Sequence, residues 1–182
     1  MPWPRAQAYD KAAKAAIAAK ARRRSSTGLD SSASSDMGPT MNNARRRGLV
    51  PVGGGLSGGR EMTAELAERM RAICLALPEV TERLSHGAPT WFVRGKSAFV
   101  TLWADGHHEN QFPHLWCAAP PGAQAELTAS DPGRFFRPPY VGGRGWIGVR
   151  LDRDPHWAEI AELCQDAYRA IAPARLAAQL DR

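Results

Sequence analysis

The segment ADGHHENQFPH, residues 104–114, gathers the groups most able to do chemistry: His107, His108, Glu109 and His114. Imidazole and carboxylate are metal ligands, and imidazole is the common acid–base group near neutral pH. The spacing, however, matches no HExxH or other pattern that would fix ligand geometry on a regular element. Adjacent histidines in a polar loop point apart by default, so the segment is expected to be a solvated loop, with no metal and no cofactor. His86, in SHGAPTW, lies between Ser85 and Gly87-Ala88-Pro89, a composition that already makes a shaped turn. No GxSxG elbow, GxxxxGK[ST] loop or GxGxxG after a strand is present, and no catalytic set is expected. Gly142-Gly143-Arg144-Gly145 precedes a strand-like run instead of opening a helix, so a phosphate cradle on a helix N-terminus does not apply.

A basic and aromatic set offers a different chemistry. Between residues 83 and 153 stand Arg83, Arg94, Lys96, Arg134, Arg137, Arg144, Arg150 and Arg153 against five acids, a net +3. Arg94 and Lys96 sit at a hairpin tip, and Arg137 and Arg144 flank Tyr140 in a Gly- and Pro-rich loop. If these loops meet on one edge, Arg94, Lys96, Arg137 and Arg144 could contact phosphates while Tyr140 stacks on a base. That points to weak, non-specific nucleic-acid binding, DNA being the nominal partner, by a module without catalysis. A solvated rim of arginines accounts for the same residues equally well. The alternative is a small-molecule cleft in which His86, Trp91, Arg144 and Trp146 hold an anionic metabolite or nucleotide. A protein-interaction domain, docking through an exposed sheet edge, is a third option. Trp91, Trp103, Trp116, Trp146 and Trp157 stand at strand and amphipathic-helix positions, where large aromatics usually bury.

The elements that must position these residues follow from periodicity. Thr63 is placed to cap a helix over about 63–77, with Leu66, Met70, Ile73 and Leu77 as its apolar stripe and Pro78 as its stop. TWFV at 90–93 and SAFVTLW at 97–103 make a hairpin around Arg94-Gly95-Lys96. HLWCAA at 114–119 is a third strand, and a short helix over about 122–130 follows. RFFRPPYVGGRG at 134–145 reads as irregular, before a fourth strand at 146–151 that alternates Trp146, Gly148 and Arg150 against Ile147, Val149 and Leu151. Asp154 with Pro155 predicts the start of an amphipathic helix on Trp157, Ile160, Cys164, Tyr168 and Ile171, and Pro173 begins a last short helix. Tight hairpins between helices at either end predict an α+β fold with an antiparallel sheet covered on one side by helices.

Composition divides the chain of 182 residues in two. Residues 1–61 hold eleven Lys and Arg against four Asp and Glu, a net +7, and residues 62–182 hold thirteen against fourteen, a net −1. The basic balance therefore belongs to the N-terminal extension, and overall charge is no argument for nucleic-acid binding by the folded part. Residues 6–23 have helix propensity but almost no apolar face, and the Ser-, Gly- and Arg-rich stretch over 25–60 cannot offset the entropy of ordering. The extension, 1–61, is thus expected to be a disordered basic tail. Arg22–Arg24 and Arg45–Arg47 could neutralise phosphates, the composition also resembles an organellar transit peptide, and a native start at Met62 would remove the tail altogether. No run approaches the ~18 apolar residues of a membrane span, and no secretory signal is apparent. Cys74, Cys117 and Cys164 form no CxxC and sit among apolar neighbours, as buried thiols of a reducing, cytoplasmic compartment do.

Several segments, in order, carry a resemblance: ALPEVTERLSHGAPTWFVRGKSAF, LWCAAPPGAQ, FFRPPYVGGRGWIGVRLD and AYRAIAPARLAAQL. Together they resemble the MmcQ/YjbR-like family over essentially all of residues 62–182. The resemblance implies an α+β domain with a curved antiparallel sheet and helices packed on it, the double-wing arrangement. It also implies the family's DNA-binding label, without an established activity.

Overall fold

The computed structural model describes residues 57–181. Helix α1 spans Ser57–Leu75, strands β1 to β4 run over Val80–Ser85, Ala88–Val93, Ser97–Trp103 and His114–Cys117, and helix α2 spans Ala123–Ser130. Strands β5 (Phe135–Phe136) and β6 (Ile147–Arg150) follow, then helices α3 (Trp157–Ile171) and α4 (Ala174–Ala177). The six strands form one open sheet in the order β1-β2-β3-β4-β6-β5, every pair antiparallel. No helix among the described residues is long and apolar enough to cross a membrane. The expected tail, its helix at 6–23 and both arginine clusters lie outside the described residues, apart from 57–61, which open α1.

Residues directly opposed across antiparallel strands share a face. Val100, Cys117 and Ile147 are one such row, and Leu102, Leu115 and Val149 another. Both rows are buried, and Cys164 on α3 lies close enough to Cys117 to raise its thiol, as Cys117 does for Cys74 on α1, which places α1 and α3 on this face. Burial holds the Cys74 and Cys117 thiols well above their ordinary range, so both are neutral packing groups. The opposite face carries Thr90, Thr101, Trp116 and Gly148 in one row and Trp103, His114 and Arg150 in the next. The loops over 104–113 and 137–146 roof this face, and the end of α3 reaches it through Ala170 and Ile171.

One irregularity sets the parity. Where β2 advances from Trp91 to Phe92, β3 passes from Val100 to Ala98, so Phe99 is an extra residue. Such a bulge lets two successive side chains turn the same way. Phe99 and Val100 are both fully buried, with the Phe99 ring edge-on to Tyr168 of α3, while Ala98 turns to the roofed face.

Three local expectations change. Thr63 lies inside α1 and caps nothing: its hydroxyl donates to the Gly59 carbonyl at 2.9 Å and lies within 2.9 Å of Asp105 Oδ1, tying α1 to the 104–113 loop. Helix α3 starts two residues after Pro155, with His156 as its extended cap residue, and Asp154 adopts a left-handed φ of 46° and supplies no cap. Strand β1 and the short β5 stand where no strand was expected. VTERLS is an edge strand, half exposed and interrupted by charges, so it lacks an apolar run or clean alternation.

Candidate functional site

A pocket of about 810 Å³ opens on the loop-roofed face. Its floor is the sheet: Ala98, Thr101 and Trp103 of β3, Thr90 of β2 and Trp116 of β4. Thr90 and Thr101 are buried and satisfy each other, the Thr90 hydroxyl donating to Thr101 Oγ1 at 3.2 Å. Roof and rim come from His86, His107, His108, Tyr140, Arg144 and Trp146, with Ala170 and Ile171 at the end of α3 completing the wall. Among the described residues no Asp or Glu contributes to the walls.

The roof is held by few, identifiable contacts. His86 and Gly87 both take positive φ, 54° and 81°, as a two-residue hairpin turn requires. The tight turn brings exposed His86 to the pocket mouth, with Ser85 Oγ 3.1 Å from its Nδ1. Tyr140, also at positive φ, follows Pro138-Pro139 and is 76% exposed. Arg144 ends a one-turn 3-10 helix, Gly142–Arg144, which the left-handed Gly145 closes. This loop is fastened from α2 by Gln124, whose amide donates to the Gly142 carbonyl at 2.8 Å and to the Trp146 carbonyl. Gly142 has no room for a side chain, because a Cβ there would stand 2.5 Å from Arg137 Cγ. The stem of Arg137 therefore lies against the turn that presents Arg144.

An aromatic ladder runs from the floor to the rim. The His107 ring stacks on Trp103 with centroids 3.6 Å apart and planes at 29°. His108 meets His107 edge-on at 3.9 Å, and Tyr140 meets His108 at 5.4 Å. Trp116 abuts both Trp103, at 5.1 Å, and His107, at 5.3 Å. Within this ladder Trp103 Nε1, Trp116 Nε1 and His107 Nδ1 are buried without a hydrogen-bond partner. Desolvation, helped by the neighbouring His108 and His86, lowers the His107 pKa below its ordinary 6.5. His107 is therefore neutral at pH 7, which suits a ring pressed against an indole.

The expected site residues separate into two sets. Of the cleft, His86, Arg144 and Trp146 do meet around this pocket, whereas Trp91 does not. Trp91 pairs with Val100 and is fully buried on the helix-covered face, so strand parity removes it. Of the phosphate-contacting set, Tyr140 and Arg144 line the pocket; Arg94, Lys96 and Arg137 are not among its walls. Arg94 sits at the β2–β3 turn with its Nε 3.1 Å from Glu79. Three other arginines of the basic stretch are also engaged: Arg134 with Glu159 at 2.9 Å, Arg150 with Asp152 at 2.6 Å, and Arg83 over the Phe92 ring at 4.0 Å.

The loop cluster divides too. His114 is fully buried on β4, its Nδ1 donating to the Phe112 carbonyl at 2.7 Å, while His107 packs on Trp103 instead of facing solvent. Among the described residues no group of three or more His, Cys, Asp or Glu is placed to hold a metal. Residues absent from the expected site are Thr90, Thr101, Trp103, Trp116, His107 and His108. The available signal was partial: Thr101 and Trp103 alternate with Val100 and Leu102 along SAFVTLW, which puts a hydroxyl and an indole on one face.

Fold and pocket together define a class: a single-sheet α+β domain with helices on one face and a loop-roofed aromatic pocket on the other. Within that class the chain belongs to the YjbR family, whose family model matches residues 75–170, from the end of α1 almost to the end of α3. A solved structure from Deinococcus radiodurans, protein DR2400 with a DUF419 domain, is similar at 16% identity and a TM-score of 0.48, over 57% of this chain and 75% of that one. No curated protein matches the chain.

Proposed function

We propose that this YjbR-family domain is a binding module that takes a small anionic molecule in the pocket on its loop-roofed face. The observation that carries the reading is the composition of the walls: three indoles, a tyrosine, three imidazoles and Arg144, with no carboxylate. A volume of about 810 Å³ falls in the range of ligand sites, roughly 300–1,000 Å³. Apolar and aromatic walls supply contact area, while one cation without a competing acid favours a negative charge. Thermal-shift measurements against nucleotides and aromatic or aliphatic carboxylates test it, because a ligand that binds only the folded state raises its melting temperature. A true ligand should lose affinity on Arg144→Ala, and a panel that leaves the melting temperature unmoved removes the reading.

Nucleic-acid contact through Arg94, Lys96, Arg137, Arg144 and Tyr140 is the second reading. The exposure of Tyr140 next to Arg144 supports it. The Arg94–Glu79 pair and the net −1 of residues 62–182 weaken it. As a cytoplasmic module it would bind weakly, with a steep salt dependence.

A further inference from the structure

Resting on the small-anion reading, we infer that the ligand is a planar aromatic anion whose ring takes the place of His107 on the face of Trp103. The His107 imidazole already adopts the geometry of a bound ring, 3.6 Å from the indole and within 29° of parallel. Stacking is what holds it there, since its Nδ1 is buried and donates to or accepts from nothing. A ring fixed so is exchangeable: leaving the stack restores hydrogen bonding to Nδ1, and a larger aromatic regains the lost contact on the indole.

The backbone supplies the means. His107 and Asn110 close a compact turn on themselves, N–H to carbonyl at 2.9 and 3.1 Å in the two directions. Gly106, at φ 83°, enters that turn where a Cβ would stand 2.6 Å from the Asn110 carbonyl oxygen. His108 leaves it at φ 52°. The four residues can therefore swing as one piece about a glycine, carrying the imidazole off Trp103. With the ring seated on Trp103, Arg144 on the same wall receives the negative group.

Calorimetric titration of the full chain with AMP, 1-naphthoate and ribose 5-phosphate tests the inference. AMP or naphthoate should bind, and ribose 5-phosphate, an anion without a ring, should bind at least tenfold more weakly. His107→Ala should bind the aromatic probe about tenfold more tightly, because the competing ring is gone. Trp103→Leu should weaken it by about tenfold or more, circular dichroism confirming that the variant folds. If Trp103→Leu fails to fold, the His107→Ala and ribose 5-phosphate comparisons decide. An aromatic probe held equally by wild type and His107→Ala, or no more tightly than ribose 5-phosphate, overturns the exchange while leaving an anion pocket in place. Absence of binding by all three probes to both proteins overturns the pocket reading and this inference with it.

Discussion

At the scale of single residues, two positions show how little freedom the loop-roofed face has. Gly148 stands in the middle of β6, opposite Trp116, and the Phe136 ring lies where its side chain would be, 2.3 Å from an added Cβ. A flat ring packed against backbone cannot yield as a lysine stem would. Gly148→Ala should therefore cost about 1–3 kcal/mol in urea unfolding, and much less when combined with Phe136→Ala. His114 makes a prediction about pH. It is fully buried, its Nδ1 is committed to the Phe112 carbonyl, its Nε2 has no partner, and burial lowers its pKa below the ordinary 6.5. The unfolded chain then binds the proton more readily than the folded one. The associated stability is fully present above about pH 6.5 and is lost as pH falls through that value toward the lowered one. His114→Phe should lose less stability than wild type between pH 7 and pH 5 in thermal unfolding. An equal loss would locate the acid sensitivity elsewhere, His107 shifting in the same direction.

At the scale of elements, the pocket depends on a few ties between pieces distant in sequence. Gln124 joins α2 to the 137–146 loop through two carbonyls. Gln124→Ala should cost about 1–2 kcal/mol. The more telling effect is faster amide exchange over 138–146, with α1 and α3 unchanged, because the loop that presents Tyr140 and Arg144 is released on its own. On the other face, the Tyr168 hydroxyl of α3 donates to the Pro78 carbonyl at 2.8 Å, at the end of α1. Tyr168→Phe should lose about 1 kcal/mol and leave ligand binding intact, since Tyr168 itself is not among the pocket walls. The parity of these elements follows from the Phe99 bulge. An uninterrupted alternation along β3 would send Phe99 to the pocket side, away from Tyr168.

At the scale of the whole molecule, charge is divided between extension and domain. Residues 1–56 hold ten Lys and Arg against three Asp and Glu, ahead of the first described helix. Any association of the full chain with duplex DNA should fall steeply with salt and should largely disappear when residues 1–56 are removed, as read by fluorescence anisotropy. A shortened chain that binds DNA as tightly as the full one would shift the contact to the loop arginines. Binding of small aromatic anions should be indifferent to the same truncation, because every described wall of the pocket lies between Ser85 and Ile171.

The sequence by itself determined the class of fold, four of the six strands, the amphipathic helices and the burial of the three cysteines. Each is a local pattern: period 3.6 for a helix, β-branched and aromatic runs for a strand, Gly and Pro at the breaks. It also offered His86, Trp91, Arg144 and Trp146 as cleft residues, and of these His86, Arg144 and Trp146 line the pocket. The tertiary structure decided the faces. Thr101, Trp103 and Trp116 share a surface because β3 and β4 pair in one particular register, and Trp91 is excluded because it opposes Val100. Loop histidines became part of an aromatic ladder for the same reason: Trp103 presents an indole face beneath them. Register and long-range pairing depend on contacts between segments far apart in the chain, and no window of neighbouring residues encodes them.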